Sequence, residues 1–358
     1  MKYIGLDLGT MHIVSAKSSK GNNGEADIKV MRNMFLPIDP TDVDSMEIAG
    51  TNLDYVEQKD ENGDVEYLYI IGEDCFKFST IFGQNIKRPM QNGVISPNEV
   101  DAIDILTLMI KKLIGKGPGV CVYSIPADPI DGENSSALYH SQVFNNILSS
   151  LNFEPKPINE SMAVIYNECK DTKYSGIAFS FGCGLTNIAC SWKGAPIFEF
   201  SIDIGGDWID KEAGKSSGIS AITRVTSLKE RKLDFNNLKA GRNKKENRTL
   251  QALKFYYESL INHVLKNVSS HFNKVSENLD IDEPLPIIVS GGTSMPNGFL
   301  DLFKEVFNKQ KDFPYDISEI RHAGDPLSSV ASGSLRYAIH FSKNNKEVST
   351  EKTENKTN

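Results

Sequence analysis

The sequence lacks most of the features that mark exported, membrane-spanning or metal-organised proteins. No stretch approaches the roughly 18–20 apolar residues needed to cross a bilayer. The opening, Met1-Lys2-Tyr3-Ile4-Gly5, has no long apolar core of a secretory leader. Five cysteines (Cys75, Cys121, Cys169, Cys183, Cys190) form no Cys-x-x-Cys pair, which argues against a disulfide framework or zinc site and for reduced thiols in a cytoplasm. Six scattered histidines include no pair at metal-ligand spacing. Basic excess is missing as well: 47 acidic against 39 basic side chains give a formal charge of −8, which argues against a nucleic-acid backbone as partner. What is present is 358 residues, 39% hydrophobic and 24% charged, a soluble globular balance with room for about two domains.

Apolar runs and glycine punctuation organise the chain. Tyr3–Leu8 and His12–Ala16 read as buried strands around the turn Gly9-Thr10-Met11. So short a link makes them antiparallel, because parallel neighbours need a crossover. Residues 39–66 are polar and acidic and read as a mobile excursion ending in a hairpin turn over Lys59–Asp64, with a strand resuming over Tyr67–Ile71. The spacing predicts helices over Val100–Ile114, Ser135–Leu151 and Glu160–Cys169, and a strand over Val120–Ile125. Gly176–Phe181, Leu185–Trp192 and Ala195–Ile202 read as a three-strand meander. A polar connection, Asn243–Arg248, leads to a long helix over Thr249–Asn278, whose Phe255, Tyr256, Leu260 and Val264 form a packing face. A buried strand over Pro286–Ser290 precedes a helix over Gly298–Asn308, and a last helix over Pro326–Ser342 runs into a polar tail, Lys343–Asn358, that cannot order itself. Strand, glycine turn, strand occurs twice, at residues 3–16 and 176–192. Two similar α/β halves facing each other is the economical architecture.

Four glycine turns at strand edges carry the chemistry. Asp7-Leu8-Gly9-Thr10 puts a carboxylate at the end of a buried strand, beside a turn whose backbone can approach a ligand because Gly9 has no Cβ. Successive N–H groups there form a concave anion site. A carboxylate beside phosphates needs a divalent cation between them, and magnesium held through water suits hard oxygen ligands. Phe181-Gly182-Cys183-Gly184-Leu185-Thr186 repeats the device. Ile204-Gly205-Gly206-Asp207 opens a helix whose N-terminal amides favour phosphate. Gly291-Gly292-Thr293-Ser294-Met295-Pro296 offers a surface free of side chains on which a flat nucleoside can lie.

These segments resemble those of the superfamily of actin, MreB and DnaK-type chaperone ATPases, over nearly the whole chain before the tail. Gly5–Thr10 is similar to the first phosphate motif, Gly176–Asn187 to the second, Gly205-Gly206-Asp207-Trp208-Ile209-Asp210 to the Gly-Gly-acid-x-x-Asp segment, and Val289–Pro296 to the adenosine motif. Ile158–Val164 resembles the connecting segment that carries a catalytic Glu or Gln, and Arg88–Ile95 is close to a segment of MreB. The resemblance implies two duplicated actin-like (ribonuclease H-like) α/β domains, each a mixed five-stranded sheet with helices, with a nucleotide cleft between them. Domain I would span 1–158 and domain II 159–325, with the helix 326–342 returning to domain I.

ATP and Mg2+ are the cofactors so implied. Asp7 would hold hydrated magnesium, and Glu160 would orient the water that attacks the γ-phosphate. Gly9, Thr10, Met11, Gly182, Cys183, Gly184, Thr186, Gly205 and Gly206 would face the phosphates, and Gly291, Gly292, Thr293, Lys229 and Glu230 the nucleoside. By their residue types alone, Lys229 and Glu230 read equally well as a solvated charge cluster. One departure stands out: the second phosphate motif begins with Asp in the family, and Ser180 stands there, which adds no charge and weakens the case for fast hydrolysis. The resulting expectation is a slow cytoplasmic ATPase that assembles into filaments with ATP and magnesium. It would use no nucleic acid or transmembrane segment, would not attach directly to a membrane, and could take a protein partner. A monomeric DnaK-like nucleotide switch without a peptide-binding domain is the alternative.

Overall fold

A computed structural model describes residues 2–18, 26–39, 53–131, 137–275, 281, 283–310 and 313–340. The described residues fall into two units, one drawn from Met1–Ile125, Ser136–Ile158 and the chain from Ala331 onward, the other from Pro126–Ser135 and Asn159–Val330.

In unit 1, β1 (Lys2–Leu8) and β2 (His12–Ser18) pair antiparallel as the tight link requires, with Asp7 opposite Val14. β3 (Ala26–Arg32) extends this pairing on the far side of β2. A separate three-stranded sheet is built by β4 (Phe35–Ile38), β5 (Tyr55–Lys59) and β6 (Val65–Ile71). It packs against α1 (Asp74–Phe82) through Met34, Leu36, Ile70, Cys75 and Phe78. This corrects part of the expected excursion. The residues of 39–66 that lie at 40–52 are outside those described, but Tyr55–Lys59 is a strand, not a loop, and the next strand begins at Val65. The turn between them is as expected, with the Asp60 N–H donating to the Asp64 carbonyl and Gly63 at φ 95°. β7 (Met90–Gln91) and β8 (Val94–Ile95) form a minimal hairpin around Asn92 and Gly93, both at positive φ, the preference of a two-residue Asn-Gly turn.

α2 (Ala102–Ile114) starts two residues later than expected and buries Ile105, Leu106, Met109, Ile110, Leu113 and Ile114; Ile103, whose spacing suggested the apolar face, is 38% exposed. β9 (Gly119–Ile125) runs parallel to β1, followed by α3 (Ala137–Ser150) and β10 (Phe153–Asn159). The main sheet has the order β10-β9-β1-β2-β3.

Unit 2 repeats that plan. After α4 (Glu160–Glu168), β11 (Gly176–Phe181), β12 (Thr186–Trp192) and β13 (Ala195–Ile202) form the expected antiparallel meander. α5 (Gly206–Ser217), α6 (Ile222–Lys232) and α7 (Lys244–Val275) follow. β14 (Leu285–Ser290) lies parallel to β11, α8 spans Phe299–Asn308, and β15 (Ile317–His322) completes the order β13-β12-β11-β14-β15. Each main sheet is therefore five-stranded and mixed, with its first hairpin antiparallel and its next neighbour parallel, as the expected fold class requires.

α7 starts earlier than expected. Asn243 accepts from the Glu246 N–H at 3.0 Å, and Glu246 accepts from the Arg242 N–H at 2.7 Å. These two side-chain caps turn the polar run into a helix start. Leu253, Tyr257, Leu260, Ile261, Val264, Leu265, Val268 and Phe272 are fully buried along α7, whereas Phe255, expected on its packing face, is 61% exposed. Residues 276–278 of the expected helix, and the tail from 343 onward, lie outside the described residues. A final helix runs over 329–340. Its Ala331 and Leu335 press so close to β1 that any side chain at Gly5 would overlap the Ala331 carbonyl.

Candidate functional site

The turns after β1 and β11 are copies in atomic detail. In one, the Gly9 N–H donates to the His12 carbonyl at 3.0 Å; in the other, the Gly182 N–H donates to the Leu185 carbonyl at 2.9 Å. A Cβ added at either glycine would lie 2.7 Å from that same carbonyl oxygen. Both turns thus close on their own backbone, and only glycine allows it.

In unit 1, Asp7 ends β1 with a half-buried carboxyl whose Oδ1 accepts from Ser124 Oγ at 2.9 Å. Ser124 Oγ in turn accepts from the Leu8 N–H at 3.0 Å, so the end of β9 fixes the aspartate beside the turn. Burial pushes the Asp7 carboxyl up to about 6 from an ordinary 3.8, against a smaller lowering by the Ser124 hydrogen bond. Thr10 is buried, and its Oγ1 accepts from the Gly93 N–H at 3.0 Å, which joins the β7–β8 hairpin to the turn. Asn33 Nδ2 donates to the Gly9 carbonyl at 2.9 Å. The segment Arg88–Ile95, singled out in the sequence as MreB-like, is therefore part of the turn's support. Lys87, just before it, pairs with Glu99 at 2.9 Å.

In unit 2 three of the glycine turns meet. The Gly206 N–H donates to the Gly182 carbonyl at 3.0 Å, the Asp207 N–H to the Cys183 carbonyl at 2.8 Å, and Thr293 Oγ1 to the Gly182 carbonyl at 2.8 Å. A Cβ on Gly205 would lie 2.7 Å from the carbonyls of both Gly182 and Cys183, and one on Gly206 would lie 2.6 Å from Thr293 Oγ1. Gly291 has φ 92° and leaves no room for a side chain beside the Phe181 backbone; its N–H donates to the Pro326 carbonyl at 2.9 Å. Cys183 Sγ contacts Asp207 Oδ1 at 3.1 Å. Thr186 is fully buried and hydrogen-bonds the Ile204 carbonyl at 3.0 Å.

Glu160 is the first residue of α4, behind an Asn159 cap that accepts from the N–H groups of Ser161 and Met162. Its Oε2 accepts from Asn187 Nδ2 at 2.9 Å, with Ser180 Oγ at 3.5 Å. Asn187 is itself held, its Oδ1 accepting from the Ala127 N–H at 3.1 Å. The serine that replaces the family's aspartate thus stands next to the glutamate, and the pair carries one carboxylate instead of two. Ser124 and Asn187, the residues that orient Asp7 and Glu160, were not singled out in the sequence. They lie 117 and 27 positions from the groups they hold.

Lys229 and Glu230 part company. Lys229 is buried, with Nζ 2.9 Å from Asp210 Oδ2 and 3.4 Å from the Gly206 carbonyl. Burial alone would lower its ammonium; the Asp210 carboxylate outweighs that and holds it protonated, above its ordinary value. For Lys229 the buried ion pair overturns the reading as a solvated charge. Glu230 is exposed on α6.

No group of three or more His, Cys, Asp or Glu side chains that could hold a metal ion occurs among the described residues. Asp7 offers a single carboxylate held in place by Ser124. That is a donor suited to magnesium, which takes one or two carboxylates and completes its shell with water and phosphate oxygens. No helix among the described residues is long and apolar enough to cross a membrane.

The sequence profile of the family described as Volactin matches residues 1–338. No curated protein matches the chain. Among solved structures, the MamK double helical filament is similar with a TM-score of 0.66 at 16% identity, covering 94% of this chain and 98% of that one. The ethanolamine utilization protein EutJ from Carboxydothermus hydrogenoformans gives 0.53 at 16% identity, over 94% and 89%. A non-polymerising mutant of MamK bound to AMPPNP gives 0.54 at 17%, over 94% and 98%. At such identities the likeness is one of fold, and the fold is actin-like, as the sequence motifs led one to expect.

Proposed function

The chain belongs to the Volactin family and has the actin-like fold, and on that premise we propose that it binds ATP with magnesium, hydrolyses it slowly and assembles into filaments. The observation that carries the reading is the convergence of the turns at Gly182–Gly184, Gly205–Gly206 and Gly291–Thr293, with the same backbone closure repeated at Gly9. Residues that leave no room for a Cβ are what close approach of a polyanion to main-chain N–H groups calls for.

In this reading Gly9, Thr10, Met11, Gly182, Cys183, Gly184, Gly205 and Gly206 contact phosphate, while Thr186, fully buried and bonded to the Ile204 carbonyl, holds its turn from behind. Gly291, Gly292 and Thr293 carry the nucleoside; of the two charged residues assigned with them, Lys229 is spent on Asp210 and braces the Gly206 turn, which leaves the exposed Glu230 as the one that contacts the nucleoside. Magnesium, when bound, offsets charge on the phosphate oxygens. Asp7 holds it through water, and Ser124 keeps that carboxylate aimed.

Glu160 orients the attacking water, and Asn187 fixes its carboxylate. Because Ser180 contributes no charge beside it, Glu160 acts without a second carboxylate there, consistent with slow rather than fast turnover. Assembly is supported by the filament neighbour MamK. The test is nucleotide-dependent light scattering run beside phosphate release. Scattering that requires ATP and magnesium and is lost in Asp7→Ala supports the proposal. Phosphate release without scattering would replace it with the monomeric switch.

A further inference from the structure

The segment that follows β9 belongs to unit 2 and carries a row of hydrogen bonds outside the nucleotide turns. Pro129 forms a single parallel bridge with Ser201, at the edge of the sheet along β13. Ser201 is fully buried and gives all three of its polar groups to this strap. Its N–H donates to the Asp128 carbonyl at 3.1 Å, its carbonyl accepts from the Ile130 N–H at 3.0 Å, and its Oγ donates to the Ala127 carbonyl at 2.8 Å. Ser201 is also the cross-strand neighbour of Asn187, the residue that holds Glu160.

One further bond decides how Asn187 is turned. The Ala127 N–H donates to Asn187 Oδ1 at 3.1 Å, and Asn187 Nδ2 donates to Glu160 Oε2 at 2.9 Å. An amide presents oxygen on one side and NH2 on the other. With its oxygen taken by the strap, Asn187 turns its donor to the carboxylate. The reversed amide would set oxygen against the carboxylate and NH2 against an N–H, two repulsive contacts. Asn187 is 1% exposed, so bulk water does not relieve them. Charged groups fasten the far end of the strap. Asp131 Oδ1 accepts at 2.8 Å from the Asp203 N–H, just past β13, and Asp131 Oδ2 lies 2.8 Å from His263 Nε2 on α7. The Asp203 carboxyl is pushed up by burial and by the charge of Asp131. Two carboxylates therefore crowd this corner, and the imidazole donor stands where it offsets them.

We infer that residues 126–131 form a positioning strap for Glu160, and that Asp131 and His263 are the latch that keeps the strap seated. The inference rests on the reading of Glu160 as the group that orients the attacking water. It adds two residues that no motif marked, 132 positions apart in the chain. Both act through Ala127 and Asn187, and so are positioning rather than catalytic residues. An exposed ion pair by itself contributes little to stability. Its leverage here is directional: a shift of the strap turns or displaces Asn187, and a misplacement of about 1 Å at a reacting group costs up to about 100-fold in rate.

Hydrogen exchange of the nucleotide-free full chain, read over residues 126–131, tests the latch without any reaction. Asp131→Ala removes both bonds and should speed exchange of the Ala127 and Ile130 amides by about tenfold. His263→Ala removes one and should speed it by about threefold. Phosphate release at saturating ATP and magnesium tests the positioning role. Both variants should slow it by about threefold or more, with the ATP dissociation constant within about twofold of that of the unmodified chain. His263→Gln keeps a donor and should bring both readings back to within about twofold of the unmodified chain. Side-chain exposures of 26% at Asp131 and 43% at His263 let either be changed without opening a core, and melting temperature checks folding. Exchange unchanged in both alanine variants would overturn the latch and leave the nucleotide reading standing. Faster exchange with unaltered phosphate release, or an equal loss of ATP affinity, would overturn the positioning role. If the unmodified chain binds ATP but releases no phosphate, the role assigned to Glu160 fails and that of the strap fails with it, whatever the exchange data show.

Discussion

Asp7→Asn isolates the electrostatic strain at the end of β1. The carboxyl is pushed from an ordinary 3.8 to about 6 by burial, and each tenfold change in a proton equilibrium is worth about 1.4 kcal/mol. The ionised side chain therefore costs the folded, nucleotide-free protein at most about 3 kcal/mol. The sign follows from the direction of the shift. A carboxyl whose folded value lies above its unfolded value favours the folded state at low pH and loses that advantage as pH rises from about 4 to 6. Asparagine removes the ionisation and keeps an oxygen to accept from Ser124 Oγ, which donates to Asp7 at 2.9 Å. The variant should thus match the parent near pH 4, gain stability as pH rises, and level off above pH 6 at no more than about 3 kcal/mol. Urea melts of the nucleotide-free protein across pH 4–8 measure this. With magnesium and ATP present the order should invert, because the parent gains a cation that the variant cannot hold. A gain in stability that does not vary with pH, or no gain at pH 7.5, would refute the argument that Asp7 is an uncompensated carboxylate awaiting a cation.

Three further outcomes follow from the same geometry. His140 is fully buried against Phe144, and burial lowers its imidazole to about 4 from 6.5. It stays neutral in the folded state, so the parent loses stability as pH falls from 6.5 to 4, and His140→Phe should flatten that limb of the acid-unfolding curve by up to about 3 kcal/mol. Gly291→Ala places a methyl against the Phe181 backbone at φ 92°, which should cost roughly 1–3 kcal/mol or more in thermal stability and weaken nucleotide binding measured by fluorescence titration. Glu160→Gln keeps the hydrogen-bonding shape but removes the charge held by Asn187 at 2.9 Å. It should leave the ATP dissociation constant within about twofold and slow phosphate release by about ten-fold or more. Equal loss in both would assign Glu160 to binding instead.

Much of the fold could be read from single residues. Ile4, Leu6, Leu8 and Ile13 are at most 2% exposed, so the apolar runs marking β1 and β2 were direct reports of burial. β10 escaped notice because Pro155 and Pro157 interrupt it. It is an edge strand, where a missing N–H is tolerated. β15, Ile-Ser-Glu-Ile-Arg-His, is an edge strand of the sheet in unit 2 and exposes Ser318 and Glu319, so its polar pattern resembles a loop. The first turn of α7 reads as polar linker unless the Asn243–Glu246 capping pair is noticed. In the site, the glycine turns were legible because their requirement is local: a backbone that admits no Cβ. Ser124, Asn187 and the Thr10–Gly93 link were not, because each joins segments that the sheet order brings together and that no local pattern announces. Lys229 illustrates the reverse error. Its charged neighbours suggested solvent, while its partner Asp210 lies 19 positions away in the chain.

The central claim is that the glycine turns take up a purine nucleotide with a bridging cation. Isothermal titration calorimetry of the full chain in millimolar magnesium measures it most directly. One equivalent of ATP or ADP should bind per chain, with affinity falling at least about tenfold when EDTA replaces magnesium or when Asp7 is changed to Ala. No heat of binding with ATP, ADP, GTP or GDP, in protein that is folded by circular dichroism, would contradict the account.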